Sequence, residues 1–194
     1  MVSLALADDP VGVPGTLLAA CQAGDRAARE RLFADCAPRV FRWAVLLGLP
    51  APDAEDAAQE VLATAARRLE RCEAQAALGT WLFQITRRVV ANARRSAWVR
   101  HVLHRDREEP AAPAFEHESR ASVDDELSVR RCFGRLSPRL AEVLLLCEVE
   151  GHTRAEVARL LEVAEGTVAS RLRLAREAFR KLWEADAPPE GALR

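Results

Sequence analysis

The sequence predicts an all-α protein of two small helical domains joined by a flexible acidic linker, with a helix-turn-helix as the C-terminal domain. Three observations carry this. Apolar residues recur at three- and four-residue spacing, and no convincing stretch alternates in the way that marks a strand. That periodicity lapses over 101–125, where Pro110 and Pro113 appear and acids gather. The stretch TRAEVARLLEVAEGTVASRLRLAREAF (153–179) sets a short helix before a long basic one, across a tight turn.

Taken in order, residues 1–15 read as a disordered tail. The start MVSLALADDPVGVPG has no basic segment and only a short apolar run, so it is not read as a signal peptide. The first domain spans 16–100. Residues 16–49 predict two or three short helices, broken near Gly24-Asp25 and at Pro38. After the connector Pro50 to Pro52, Asp53 offers an N-cap for a helix to about Arg71. A loop over 72–79 ends at Gly79, and Thr80 can cap a helix over roughly 81–98. The linker is 101–125.

The second domain spans 126–186. A short helix runs to Leu136. Ser137-Pro138 places a cap before a proline in the first helical position, and the next helix ends at Gly151. Thr153 and Glu156 form a capping box that opens a helix to about Leu161. Val163 to Glu165 make the turn. The long helix starts near Gly166 and ends near Asp186, leaving 187–194 as a tail. Ala158 is small enough for close helix approach, and Val163 and Val168 can share one small core.

The chain has 194 residues and a net charge of −1, so no global field draws it to nucleic acid. The placement of charge is more informative. Arg87, Arg88, Arg94, Arg95, Arg100, Arg105 and Arg107 face only Asp106, whereas 108–126 carries Glu108, Glu109, Glu116, Glu118, Asp124, Asp125 and Glu126 against Arg120 alone. Arginine replaces lysine everywhere except Lys181, a bias read as a GC-rich genome. The 5 cysteines are dispersed without a CxxC pair, which fits reduced thiols in the cytosol. Cys147 and His152 have no second pair to complete a metal site, so neither metal nor cofactor is expected. The histidines are isolated and no paired carboxylates suggest a pocket, so the chain does not read as an enzyme. Nothing approaches membrane-spanning length. The expected location is cytoplasmic, with no membrane insertion of its own.

Three helix faces carry candidate chemistry. In the helix after Asp53, an apolar arc (Ala54, Ala58, Val61, Leu62, Ala65, Leu69) opposes a stripe of Asp56, Gln59, Glu60, Ala63 and Arg67. Its acidic first half suits the helix dipole, and equally a cationic partner. In the helix after Thr80, Leu82, Ile85, Val89 and Ala93 oppose Gln84, Arg87, Arg88, Arg94 and Arg95. Four outward arginines without acidic neighbours repel one another unless an anion, such as a nucleic-acid backbone, lies against them. Trp81 reads as core, and Phe83 and Trp98 are left open. In the long C-terminal helix, Val168, Leu172, Ala175, Phe179 and Leu182 share one face. Five cations (Arg171, Arg173, Arg176, Arg180, Lys181) lie outside it, against Glu165 and Glu177. A major groove admits one such helix and meets its N-terminal residues. Thr167, Ser170, Arg171 and Arg173 are therefore candidates for base edges, with Arg176 and Arg180 for phosphates.

Together DAEDAAQEV (53–61), LGTWLFQITRRVVANARR (78–95) and LSPRLAEVLLLCEVEGHTRAEVARLLEVAEGTVASRLRLAR (136–176) resemble bacterial RNA polymerase sigma factors of the extracytoplasmic-function (ECF) type, which keep only conserved regions two and four. The resemblance covers roughly 16–100 and 126–184. It implies that Asp53, Glu55, Asp56, Gln59 and Glu60 dock on the clamp helices of core RNA polymerase. It implies a −10 element interface at Thr80, Trp81, Arg87, Arg88, Asn92, Arg94 and Arg95, where a non-template base is flipped out. It implies a −35 element interface at Thr167, Ser170, Arg171, Arg173 and Arg176. Leu140, Val143 and Leu144 would lie beside the polymerase flap, or belong to the core.

The expected partners are core RNA polymerase, promoter DNA and an anti-sigma factor. The expected function is promoter recognition, melting of the −10 element and transcription of a stress- or signal-dependent regulon. The alternative is a stand-alone helix-turn-helix regulator. Two departures stand out. Ala169 replaces a basic residue common in the family, which is expected to remove a phosphate contact. Arg88 and Asn92 stand where Asn and Asp are frequent, so the −10 sequence does not carry over. A linker of about 22 flexible residues spans roughly 26 Å on average. Promoter elements one and a half duplex turns apart are separated by about 50 Å, so the domains' own radii must cover the rest. The linker's acidity suggests that it threads a cationic polymerase channel in the manner of RNA.

Overall fold

The computed structural model describes residues 15–72, 78–104 and 124–186. Residues 1–14 and 187–194 of the expected tails, 105–123 of the expected linker and the loop residues 73–77 lie outside the described residues. Every element among the described residues is helical: α1 (Gly15–Gln22), α2 (Arg26–Leu46), α3 (Ala51–Arg68), α4 (Leu78–His104), α5 (Asp124–Arg135), α6 (Pro138–Leu144), α7 (Arg154–Leu161) and α8 (Glu165–Asp186). They form two compact units, one built on α1–α4 and one on α5–α8.

In the first unit the break between α1 and α2 falls where the sequence places it. Gly24 adopts a positive φ of 93°, and the Asp25 carboxylate accepts the Ala28 N–H at 3.1 Å as the cap of α2. The expected break at Pro38 does not occur, because α2 runs through it. Ala28, Leu32, Cys36, Val40 and Trp43 are all buried, and their spacing keeps one apolar face continuous across the proline. A proline inside a helix costs about 3 kcal/mol, and burial of that face on both sides offsets it. Trp43 packs edge-to-face on Phe83 of α4, with centroids 5.3 Å apart. The Gln22 amide donates to the carbonyls of Leu69 and Cys72, at 3.3 and 2.8 Å, tying the end of α1 to the 3-10 turn that follows α3.

Two helix starts differ from expectation. α3 begins at Ala51 behind Pro50, so Asp53 is not its cap but sits inside its first turn. Pro52 causes this, since a proline near the start of a helix loses no needed N–H and presets φ. α4 begins at Leu78, which places Gly79 and Thr80 within the helix and not before it. Leu78 is 1% exposed and lies one turn before the buried Leu82, so packing extends the helix backward despite a glycine cost of about 1 kcal/mol. At the other end α4 continues to His104, past the end expected near residue 98. No glycine or proline interrupts it before Pro110.

In the second unit α6 is the central element. Ala141, Val143 and Leu144 are buried, as are Leu145 and Leu146 just beyond. The chain there widens into a π turn (Leu145–Val149), in which Glu150 N–H donates to Leu145 O at 3.0 Å. Ser137 is the N-cap of α6 and Pro138 follows as expected, but the serine side chain makes no capping bond. α8 packs against α5, α6 and α7. Phe179 of α8 meets Phe133 of α5 at 5.6 Å and stacks on Trp183 at 6.1 Å. Asp186 closes the far end, accepting from Arg135 Nη1 at 3.2 Å and pairing with Arg131.

Candidate nucleic-acid interface

The helix-turn-helix is built from α7 and α8. The Thr153 hydroxyl accepts the Glu156 N–H at 3.3 Å, while Glu156 Oε2 accepts from the Thr153 N–H and hydroxyl, each at 2.8 Å. This is the reciprocal box expected from the sequence, and it holds the Glu156 carboxyl below its ordinary pKa, the Thr153 backbone N–H contributing most. α7 ends on Glu162, whose φ of 55° and ψ of 46° place it in the left-handed region. Val157, Leu160 and Leu161 of α7 are buried, as are Val168, Leu172 and Ala175 of α8. This shared core fixes the angle at which α8 is presented. At the start of α8, Thr167 and Val168 N–H groups donate to the Ala164 carbonyl. Ala164 has no side-chain oxygen with which to cap the first turn.

The five residues expected at the −35 element do not form one face. At 100° per residue they spread over about 220° of the α8 circumference. Ser170 and Arg173 are exposed on the side opposite the core, whereas Thr167 and Arg171 are half-buried on one flank. Arg176 lies on the other flank and is held by Glu148 of the π turn: its Nε donates to Glu148 Oε1 at 3.0 Å, and its Nη2 donates more closely to the same oxygen. The Ser170 hydroxyl donates to the Thr167 carbonyl at 3.0 Å. Arg173 pairs with Glu177 at 3.8 Å, Lys181 with Glu177 at 3.0 Å and Arg180 with Glu184 at 4.0 Å. An open groove of about 440 Å³ is lined by Arg154, Arg173, Arg176 and Arg180, together with Ala169, Leu172 and Glu177. Sequence reasoning missed Arg154, which sits 4.0 Å from Glu165, and Glu148, whose partner lies 28 residues away.

In the first unit the other two sets do share faces. Asp53, Glu55, Asp56, Gln59 and Glu60 are all exposed on α3, opposite the buried Ala54, Ala57, Ala58, Val61 and Ala65. On α4, Thr80, Trp81, Arg87, Arg88, Asn92, Arg94 and Arg95 occupy about 160° of arc, away from the buried Leu82, Ile85, Thr86 and Val89. Arg88, Asn92 and Arg95 are exposed, while Thr80, Arg87 and Arg94 are half-buried. Trp81, expected in the core, is only half-buried at the edge of this face. Phe83 is the core aromatic, at 1% exposure. Trp98 lies one turn beyond Arg94 and Arg95 on the same side and is 66% exposed. Val143 and Leu144, placed by resemblance either at the flap or in the core, are core, and Leu140 is half-exposed. No helix of the described residues is long and apolar enough to cross a membrane.

Comparison with known proteins fits both units. Residues 32–100 match the Sigma-70 region 2 family and residues 126–179 match Sigma-70, region 4. The ECF RNA polymerase sigma factor SigM of Mycobacterium tuberculosis is 33% identical over 170 residues, which cover 86% of this chain and 82% of SigM. Two solved structures share the fold. CnrH, solved in complex with the cytosolic domain of CnrY, has a TM-score of 0.65 at 22% identity over 90% of this chain and 99% of its own. RpoE of Bartonella quintana, solved with the anti-sigma factor NepR, has a TM-score of 0.65 at 24% identity over 81% of this chain and 98% of its own. With both regions matched in order and SigM similar across most of its length, the chain belongs to the ECF group of RNA polymerase sigma factors.

Proposed function

We propose that this chain binds core RNA polymerase through the acidic face of α3, reads a −35 element with α8, and engages and melts a −10 element with α4. It thereby starts transcription of a signal-dependent regulon as a dissociable subunit, not as an enzyme. One observation carries the reading: two packed helices of the first unit present opposite charges outward, acids on α3 and arginines on α4. A stand-alone DNA-binding domain has no use for the acidic face beside the basic one. A polymerase subunit uses the first for protein and the second for the phosphate backbone.

Within this reading Arg88 and Arg95 are free to take phosphates, since neither has a hydrogen-bond or ion-pair partner among the described residues. Flipping a base from the −10 element costs a few kcal/mol, which contacts along α4 offset. In the second unit Ser170 and Arg173 face base edges, and the first turn of α8 offers N–H groups to a phosphate. RpoE of Bartonella quintana is solved in complex with the anti-sigma factor NepR, which supports an anti-sigma partner here, and membership of the family supports a flap contact for the second unit.

The test is run-off transcription with purified chain, bacterial core polymerase and fragmented GC-rich genomic DNA. Discrete start sites sharing two upstream elements are expected. If the chain binds duplex DNA yet neither binds core polymerase nor yields transcripts, it is a stand-alone regulator and the reading fails.

A further inference from the structure

Arg176 is expected to grip DNA, yet its grip is already taken. Its Nε and Nη2 both point to a single oxygen of Glu148. This is the edge of the guanidinium that forks onto a phosphate. Glu148 reaches it from a π turn, a distortion that recurs at functional sites. Both side chains are solvent-accessible, at 61% for Arg176 and 42% for Glu148, so an external anion can take the place of the carboxylate without unpacking the core. The four-arginine groove opens alongside. Ala169 supplies no spare cation on that flank of α8, which leaves Arg176 carrying more of the phosphate contact there.

We infer that Glu148 is an internal competitor for the DNA backbone: its carboxylate occupies the phosphate fork of Arg176 and weakens the chain's own hold on duplex until a phosphate displaces it. The inference rests on α8 engaging duplex DNA. Its physical consequence is restraint. Binding driven by phosphates alone is the sequence-independent part of DNA affinity, and a cation that must first leave a carboxylate contributes less to it. The free factor then adheres less to bulk DNA, and its productive engagement comes with polymerase.

The experiment uses the full chain and a short fluorescent duplex of random sequence at low salt, with binding followed by anisotropy. Glu148→Gln keeps the shape and removes the charge, and is expected to bind about two- to fivefold more tightly, the scale of one exposed ion pair. Arg176→Ala should bind more weakly than wild type. The double variant should bind no more tightly than Arg176→Ala alone. Unchanged or weaker binding by Glu148→Gln overturns the inference, since the carboxylate would then merely orient Arg176. Equal tightening in the Arg176→Ala background overturns it too, as a general loss of negative charge. If no form binds duplex even at low salt, Glu148 is not what limits affinity and the inference falls, whereas run-off initiation would still stand for the proposed function. Matching thermal melts of all four proteins exclude misfolding as the cause.

Discussion

Removing the Thr153 side chain tests whether the capping box sets the stability of the helix that supports α8. Thr153→Ala deletes two contacts: the Glu156 N–H to the hydroxyl at 3.3 Å, and the hydroxyl to Glu156 Oε2 at 2.8 Å. The Thr153 backbone N–H keeps its bond to Glu156. α7 has only 8 residues, too few to hold a helix without packing and caps. Loss of a threonine cap costs about 0.5–2 kcal/mol, and the long 3.3 Å contact places this one in the lower half of that range. Opening of α7 should therefore become roughly two- to eightfold more frequent. Hydrogen exchange measured by mass spectrometry on the full chain reads this directly, through the amides of Val157 to Leu161 against those of Ala141 to Leu146. Faster exchange confined to α7 is expected. Unchanged α7 amides, or equal acceleration in α6, would refute the reasoning. The box also has a pH signature. The Glu156 carboxyl is depressed in the folded state, so its stabilisation is complete above the ordinary carboxylate pKa and is lost as pH falls through the folded value. After correction for intrinsic exchange, α7 should loosen with acidification, and Thr153→Ala should reduce that dependence only in part, because the backbone N–H bond that contributes most to it remains.

Three further outcomes are expected. Glu162→Gly relieves a left-handed φ of 55° and should stabilise the second unit by about 0.5–1 kcal/mol net of glycine's extra unfolded entropy; chemical denaturation followed by circular dichroism checks it, and a destabilised variant would contradict the strain. Arg173→Ala should weaken binding to a promoter duplex by about 1–3 kcal/mol and relax selectivity at one base position; a competition titration with point-substituted duplexes would show no such change if Arg173 touches only solvent. Glu60→Lys, on the exposed face of α3, should weaken capture by core polymerase while duplex binding by the same protein stays intact, and loss of both together would indicate misfolding.

The helix-turn-helix was legible in the sequence because its determinants are local. Thr153 and Glu156 lie three residues apart, and Val168, Leu172 and Ala175 repeat at helical spacing. The element starts were less legible because packing decides them. Leu78 is drawn into α4 by the core, which no cap signal reveals, and Pro38 is tolerated because the apolar face of α2 is buried on both sides of it. Asp53, Glu55, Thr80, Trp81 and Asn92 enter only through the family resemblance, whereas the stripes of Asp56, Gln59 and Glu60 on α3 and of Arg87, Arg88, Arg94 and Arg95 on α4 could be read from periodicity. The binding of Arg176 by Glu148 could not, because the two meet only through the packing of α6 and its π turn against α8. Glu148 in the sequence is simply another acid among apolar neighbours. The five −35 candidates follow from their place toward the N-terminal end of α8, a criterion along the chain that leaves the helix circumference open, and helix geometry divides them between an outward face and two flanks.

The cysteines give the protein a practical chemistry of its own. Cys21, Cys36, Cys72 and Cys132 are buried, and Cys147 alone is half-exposed. Burial pushes the thiols of Cys21, Cys132 and Cys147 upward and that of Cys36 to about 11. The reactive species of a thiol is its thiolate, so the raised pKa slows alkylation of Cys21, Cys36, Cys132 and Cys147. Cys147 remains the single accessible attachment point. A maleimide dye placed there in mildly alkaline buffer would stand one residue from Glu148, giving the native chain a fluorescent reporter of events on α8 without any engineered cysteine.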